Sequence, residues 1–165
     1  LVKYLIYQQL SSKAAFSIFK KYMSLFPGHT YQDPQKVLLE SNKNLKQIGL
    51  SRQKVLYIQN VATAYVNGDI PDNLIDLSNN EINNILIKIK GVGRWTIDMF
   101  LMFTIQRPDV MPFSDLGIKK GFMNFYKLQT LPDDNFMKAK SQLWSPFRTL
   151  AAIYLWHLVD DGFEW

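Results

Sequence analysis

Cysteine is absent from this 165-residue chain, and its absence removes several chemistries at once. Disulfides, zinc–thiolate sites, iron–sulfur clusters and thiol nucleophiles all require that side chain. Histidine is scarce: His29 and His157 are too few and too far apart for a histidine metal site. No apolar run approaches the roughly 20 residues of a membrane span, and the start at Leu1 carries no signal-peptide pattern. We therefore expect an intracellular protein without a membrane partner, from a prokaryotic cytoplasm or a eukaryotic nucleus, and a fragment of a longer chain.

Charged residues are also few, at 20% of the chain against 47% apolar residues, and this balance excludes a disordered tail. Lysine and arginine outnumber aspartate and glutamate by 19 to 14. The resulting charge of +5 favours a polyanionic partner without demanding one. The length suits one domain or a tightly joined pair of lobes.

Glycine and proline fall between apolar periodic runs rather than inside them, which indicates helices joined by turns. The spacing predicts helices over 1–26, 34–41, 52–67, 79–89, 94–105, 116–126, 135–143 and 145–159. Five positions are predicted N-caps of these helices: Asp33, Ser51, Ser78, Asp115 and Asp133. Because no convincing strand pattern occurs, the predicted fold class is all-α.

Two glycines flank one apolar residue in Gly91-Val92-Gly93, between two of the predicted helices. Glycine permits a positive φ and a close approach of a ligand to the backbone. The start of the following helix offers amide donors and a dipole that favour an anion such as a phosphate. Such a turn can hold a nucleic-acid backbone without reading its sequence. A plain helix–helix turn remains the alternative.

Asp115 follows 22 residues after Gly93, behind a loop with two prolines and ahead of a predicted helix. Taken alone, it is a capping aspartate. Asp98 and Asp109 are further carboxylates, and Asp98 is expected to be structural because it lies in the most apolar helix.

Five segments, in the same order along the chain, resemble the helix-hairpin-helix DNA glycosylases, and most closely the 3-methyladenine DNA glycosylase II branch that removes alkylated bases. They are IYQQLSSKAA at 6–15, GLSRQK at 49–54, KIKGVGRWTIDMF at 88–100, RPDV with FSDLGI at 107–118, and WSPFR with AAIYLW at 144–156. The resemblance implies an all-α, two-lobed helical bundle with a helix-hairpin-helix motif and an active-site cleft between lobes. The expected lobes are 45–125, which holds the hairpin, and 1–44 with 126–165.

The resemblance also implies roles for individual residues. Asp115 matches the essential aspartate of the family. The expected DNA-binding residues are Gly91, Val92, Gly93, Arg94, Thr96 and Lys54, and the expected wedge that fills the gap of a flipped base is Leu10 with Ser11. The expected base pocket consists of Trp95, Trp156, Met99, Leu116 and His157. In the well-known bacterial enzyme, the positions of Met99, Leu116 and His157 carry tyrosines.

Several of these residues also have a purely structural interpretation that involves no ligand. Taken alone, Leu10 would be a core leucine, each tryptophan a core tryptophan, and Lys54 a solvated surface charge. No cofactor is expected to be required. The carbonyls of Ile87, Ile89 and Val92 match positions that can hold Na+ or K+ in related proteins.

Members that also nick the strand place a catalytic lysine two residues after the second hairpin glycine, where this chain has Trp95. The resemblance therefore implies a monofunctional glycosylase that uses water, acting as a monomer on double-stranded DNA with alkylated purines. The sequence does not indicate which of the lesions 3-methyladenine, 7-methylguanine and ethenoadenine is the preferred substrate. The rival hypotheses are a non-catalytic helix-hairpin-helix DNA-binding protein, an inactive paralogue, and a helical adaptor for another protein.

Overall fold

The computed structural model describes residues 1–27 and 32–159, and every regular element in those ranges is a helix. The α-helices are α1 (Val2–Tyr7), α2 (Ser12–Ser24), α3 (Pro34–Leu39), α4 (Asn42–Gln47), α5 (Arg52–Val66), α6 (Asn79–Leu86), α7 (Arg94–Phe103), α8 (Leu116–Phe125), α9 (Asp134–Ser141) and α10 (Arg148–His157). Two short 3-10 turns occur at Leu74–Asp76 and Gln142–Trp144. The prediction of an all-α fold is confirmed. None of the described helices is both long and apolar enough to cross a bilayer, and Gly28 and His29 lie outside the described residues.

Side-chain caps fix where most of these helices begin. The five predicted N-caps are confirmed, because each accepts a hydrogen bond from a backbone N–H two or three residues ahead: Asp33, Ser51, Ser78, Asp115 and Asp133. Ser78 also forms the complete capping box with Glu81. Such a cap stabilises its helix by about 1 kcal/mol, so the starts of α3, α5, α6, α8 and α9 follow from local sequence.

The predicted helix over 1–26 is wrong as one element, because the chain breaks between α1 and α2. Gln9 has a φ of 56°, which no residue inside a right-handed helix adopts. Ser11 caps α2 by accepting the N–H of Ala14 at 3.4 Å. The apolar spacing continues across the break, so periodicity alone could not reveal it. The break places Leu10 on a turn.

Two other boundaries differ from the sequence prediction. The helix α4 was not predicted, since Leu45 is its one buried residue and a single apolar position gives no periodicity. The last helix begins at Arg148 rather than at 145, because Phe147 has the non-helical angles φ −118° and ψ 31°.

The chain divides into two compact units, Leu1–Ile97 and Asp98–Trp165, within which residues 28–31 and 160–165 are outside the described part. In the first, α1, α3 and α4 pack against α5. Its fully buried side chains include Ile6, Tyr22, Leu45, Ile58 and Ile82. In the second, α10 packs against α8, and the fully buried side chains include Ile118, Phe122 and Met137. The lobe boundaries expected from the resemblance stay a prediction.

Candidate active site

The hairpin predicted around Gly91 is a turn between α6 and α7. Val92 donates its N–H to the carbonyl of Ile89 at 2.9 Å, which closes the turn. The carbonyl of Gly93 accepts the N–H of Ile97 at 3.1 Å, so Gly93 is the residue from which α7 starts. From Thr96 to Met102 every residue of α7 is buried, as its apolar composition predicts.

The two hairpin glycines are present for different reasons. Gly91 has a φ of +105°, and a Cβ at that position would overlap the ring of Tyr57. At Gly93 the φ is not positive, and among the described residues no heavy atom beyond Gly93 itself and its neighbours along the chain lies within 4 Å of where a Cβ would be. The fold therefore requires glycine at position 91, whereas it has room for a side chain at the exposed position 93.

Two side-chain amides hold the carbonyls of the hairpin. Gln8 donates from Nε2 to the carbonyl of Gly91 at 3.1 Å and to Oγ1 of Thr96 at 2.7 Å. Asn60 donates from Nδ2 to the carbonyl of Lys90 at 3.0 Å. Thr96 is fully buried, and its predicted DNA contact stays a prediction. Sequence reasoning missed Gln8 and Asn60, because no local pattern connects them to a turn more than 29 residues away.

The wedge candidate Leu10 lies on the turn between α1 and α2, with 41% of its surface exposed. Its N–H donates to the carbonyl of Tyr7 at 3.3 Å. The alternative that Leu10 belongs to the core is therefore wrong. Ser11, the other wedge candidate, is exposed and serves as the N-cap of α2.

Lys54 is held by the end of α1 rather than lying in solvent. Its Nζ donates to the carbonyl of Ile6 at 2.6 Å and to that of Gln8 at 2.8 Å. Burial lowers the pKa of the Lys54 ammonium below its ordinary value. The alternative of a solvated surface charge is wrong, and two of the three N–H donors of the ammonium are used inside the protein. The predicted phosphate contact of Lys54 stays a prediction.

The carboxylate of Asp115 receives two N–H donors on the same oxygen. Oδ1 accepts the backbone N–H of Ile118 at 2.8 Å, which is the N-cap bond, and the indole Nε1–H of Trp156 at 2.9 Å. Trp156 is 2% exposed and stacks on Phe103 with ring centroids 6.2 Å apart. The capping reading of Asp115 is confirmed, but a cap needs no indole donor. The second bond indicates that the position of this carboxylate matters.

Two glycines of α8 make room for α10. A Cβ at Gly117 would lie 2.8 Å from Cδ1 of Trp156 and 3.0 Å from Oδ1 of Asp115. A Cβ at Gly121 would lie 2.6 Å from the carbonyl oxygen of Leu155. Sequence reasoning missed both, although two glycines four residues apart share one face of a helix and so mark a close approach.

The predicted base-pocket residues differ in their accessibility. Trp95 is half-buried, whereas Met99 is completely buried and presents no surface. Leu116 and His157 are exposed, and Nδ1 of His157 lies 2.8 Å from the carbonyl oxygen of Ile153. Trp156 is the predicted pocket residue that the structure places against Asp115.

Asp109 is held in an ion pair. Arg148 donates from Nε to Oδ1 at 2.6 Å and from Nη2 to Oδ2 at 2.7 Å, and Ser145 donates to Oδ2 at 3.0 Å. The guanidinium of Arg148 lowers the pKa of Asp109 to about 2. Asp98 is buried in α7, as expected of a structural residue. Within residues 1–27 and 32–159, no group of three histidine, aspartate or glutamate side chains is placed to hold a metal ion.

Comparison with known proteins decides the family. The family model described as "HhH-GPD superfamily base excision DNA repair protein" matches residues 2–146. The chain belongs to the HhH-GPD superfamily. The match contains the hairpin and Asp115, and it ends before α10, which supplies Trp156.

Several relatives and solved structures resemble this HhH-GPD chain. DNA-3-methyladenine glycosylase 1 of Schizosaccharomyces pombe is 35% identical over 158 residues, which cover 94% of this chain and 69% of the relative. The putative DNA-3-methyladenine glycosylase YfjP of Bacillus subtilis is 26% identical, over 97% of this chain and 58% of the relative. The S. pombe glycosylase Mag1 in complex with abasic DNA superposes with a TM-score of 0.90 at 34% identity, covering 99% of this chain and 81% of that one. The DNA-3-methyladenine glycosidase of Bacillus halodurans gives 0.81 at 30% identity, covering 96% and 73%.

Proposed function

We propose that this HhH-GPD chain is a monofunctional DNA glycosylase that removes alkylated purines from double-stranded DNA in base excision repair. The observation that carries the proposal is the carboxylate of Asp115, held on one oxygen by two N–H donors at 2.8 and 2.9 Å. A protein that only binds DNA has no use for an oriented carboxylate. Relatives named as 3-methyladenine DNA glycosylases, at up to 35% identity, support the same conclusion.

The chemistry of the lesion requires little more than one carboxylate. Alkylation at a ring nitrogen makes the purine cationic and a good leaving group. When the C1′–N bond breaks, its electron pair goes to the base and positive charge develops on the sugar. Asp115 stabilises that charge more strongly in the transition state than in the ground state. A water oxygen then bonds to C1′, and the carboxylate takes up the released proton.

Trp156 and Ile118 act on this chemistry through Asp115. Two donors on Oδ1 restrict rotation of the carboxylate and thereby set the direction of Oδ2. An electrostatic group that is already oriented requires no reorganisation when the bond breaks, which is the source of its catalytic value. The absence of a side chain at Gly117 permits this arrangement.

Duplex DNA is the proposed partner, gripped at the hairpin. The start of α7 combines a helix dipole with the exposed, uncrowded backbone of Gly93, and such helix starts favour phosphate. Arg94 and the buried Val92 complete the proposed hairpin grip, and Lys54 retains one ammonium proton beyond its two carbonyl bonds. The S. pombe relative that was solved on abasic DNA supports a DNA partner.

When a base is flipped out of the duplex, a protein side chain must fill the gap in the base stack, and a pocket must hold the flipped base. We assign the replacement to Leu10 and Ser11, on the exposed turn between α1 and α2. Trp95 is the proposed stacking surface, where cation–π attraction to a cationic base contributes about 0.5–2 kcal/mol. Leu116 and His157, which are exposed, are proposed as further lining residues of the pocket, and the buried Trp156 and Met99 as residues that support it.

A monovalent cation at the hairpin is a further part of the proposal. Backbone carbonyl oxygens suit Na+ or K+, and the carbonyl of Ile89 keeps a second lone pair after accepting the N–H of Val92. Ile87, Ile89 and Val92 would hold the ion, which would add positive charge next to a bound phosphate. The proposed working state is a monomer.

A glycosylase assay tests the proposal directly. Duplexes with one 7-methylguanine, 3-methyladenine or ethenoadenine are incubated with the protein, and each sample is divided into portions with and without hot alkali. We expect strand breaks after alkali that depend on the lesion. If no lesion is excised although abasic duplex is bound, the chain is a DNA-binding protein or an inactive paralogue.

A further inference from the structure

The turn that carries Leu10 is tied to the hairpin by one side chain. Gln8 immediately follows α1, two residues before Leu10, and its amide crosses to Gly91 and Thr96. These two partners lie 83 and 88 residues further along the chain. The side chain therefore connects the proposed wedge with the proposed phosphate grip.

The chemistry of the two contacts fixes the role of the amide. A backbone carbonyl can only accept a hydrogen bond, so the NH2 group of Gln8 must face Gly91. Its two protons go to the carbonyl of Gly91 at 3.1 Å and to Oγ1 of Thr96 at 2.7 Å. The nitrogen thus has no proton left to donate to a DNA base.

Lys54 holds the backbone of the same residue. Its ammonium donates to the carbonyls of Ile6 and Gln8, at the C-terminal end of α1, where a positive charge is favourable. Gln8 is therefore fixed by its carbonyl to α5 and by its amide to the hairpin. The left-handed φ of Gln9 then directs the chain outward, which leaves Leu10 on the surface.

From these contacts we infer that Gln8 is a positioning residue that couples phosphate binding at the hairpin to insertion of Leu10 into the duplex. With the turn fixed to the hairpin, a phosphate bound there determines where Leu10 meets the stack. Without the amide, the hairpin still binds the backbone, but Leu10 is no longer held in register with it. This inference rests on the proposed glycosylase function.

A double-mutant cycle between Gln8→Ala and Leu10→Ala tests the coupling. Two readouts are measured for each variant: the single-turnover excision rate, and the ratio of affinities for abasic and intact duplex. Gln8→Ala is expected to lower both by about tenfold, as the loss of two net hydrogen bonds would. In the Leu10→Ala background the same change should have an effect of less than about twofold, because the wedge is already gone. Affinity for intact duplex should stay unchanged.

Several outcomes would overturn the inference. Additive effects of the two substitutions would show that Gln8 does not act through Leu10. If Gln8→Ala lowers the affinity for intact and abasic duplex equally, Gln8 only stabilises the hairpin and does not position Leu10. If the wild type excises nothing, the glycosylase proposal fails, but the affinity ratio still reports the wedge and so judges the coupling separately.

Control variants separate positioning from folding. Gln59→Ala removes an exposed amide on α5 that bonds Asn42 at 2.8 Å, and it should change neither readout. If Gln8→Ala lowers the melting temperature severely, Thr96→Val is used in the same cycle. That substitution keeps the buried volume and removes only the hydroxyl that accepts from Gln8.

Discussion

Asp115 is the residue at which charge and shape can be separated experimentally. In Asp115→Asn, the amide oxygen can still accept the N–H of Ile118 and the indole N–H of Trp156, so the cap and the orientation persist. The lost charge no longer stabilises the cationic sugar, and single-turnover excision should fall by roughly two orders of magnitude or more. Affinity for lesion duplex should persist or improve, because repulsion of the phosphates is relieved. Excision near the wild-type rate in this variant would disprove the assignment of Asp115.

At Trp156, the hydrogen-bond donor can be removed while an aromatic ring is kept. Trp156→Phe keeps a ring to stack on Phe103 and removes the N–H that reaches Asp115. We expect single-turnover excision to fall about tenfold, with binding to lesion duplex unchanged, since a donor to an oriented charged group is lost. The loss should be the same for cationic 7-methylguanine and neutral ethenoadenine. A loss confined to the cationic lesion would instead make Trp156 a wall of the base pocket.

A matched substitution elsewhere serves as the control for this experiment. Trp144→Phe makes the same change in an aromatic cluster with Phe122 and Tyr126, with ring centroids at 5.2 and 6.5 Å. It should lower neither the rate nor the affinity.

At the scale of elements, the hairpin glycines provide a contrasting pair of variants. Gly91→Ala strains a φ of +105° and drives a methyl group into Tyr57, so its melting temperature should fall by several degrees. Gly93→Asp meets open space and supplies a good N-cap for α7, so the melting temperature should hold. Its carboxylate would repel a phosphate, and affinity for abasic duplex at moderate salt should fall about tenfold or more. Full affinity in a folded Gly93→Asp protein would remove the hairpin from the DNA interface.

The loop before Asp115 is fastened to the start of α10 by Asp109 and Arg148. Because the carboxyl pKa is lowered to about 2 in the folded state, the stabilisation is complete above the ordinary value of 3.8 and is lost as the pH falls toward 2. Asp109→Asn should therefore reduce the free energy of unfolding at pH 7 by about 1–2 kcal/mol. The difference from the wild type should narrow between pH 4 and pH 2 in denaturant titrations. A difference that is independent of pH would show that the charge is not responsible.

An exposed ion pair gives the control for that titration. Asp134 lies 3.3 Å from Lys119, with more than half of its side chain exposed. Exposed pairs contribute little to stability, so Asp134→Asn should change the free energy of unfolding by less than about 0.5 kcal/mol.

Elements that begin with a capping side chain could be predicted from the sequence, as Asp33 and Ser78 illustrate. The signal lies within three residues of the helix start, so it needs no tertiary information. The break at Gln9 could not be predicted, because glutamine rarely adopts a positive φ. The angle occurs next to a residue with long-range contacts, because Gln8 bonds Lys54 and the hairpin.

For the whole molecule, the class of fold could be predicted, and Gly91, Gly93 and Asp115 could be selected as candidate site residues, because their signals are local or belong to a recognisable order of motifs. The partners of these residues could not be identified. Gln8 reaches Gly91 across 83 positions, and Trp156 reaches Asp115 across 41. Such contacts depend on how helices pack, which the composition of neither segment reveals. The amide donor of Gln8 and the indole donor of Trp156 could therefore be recognised only from the structure.

The activity of the whole molecule should stop at the abasic site. A nicking glycosylase needs an amine that attacks C1′, and the resemblance to the helix-hairpin-helix glycosylases implies that the lysine of nicking members would stand at the position of Trp95, on the first turn of α7. The nearest lysines in sequence are Lys88 and Lys90, both of which precede Gly91. We therefore expect excision to leave strands that break only after alkali, and borohydride added during turnover to trap no protein–DNA adduct. A trapped adduct that forms as fast as excision, and maps by peptide analysis to Lys88 or Lys90, would show that the enzyme is bifunctional and that water is not its nucleophile.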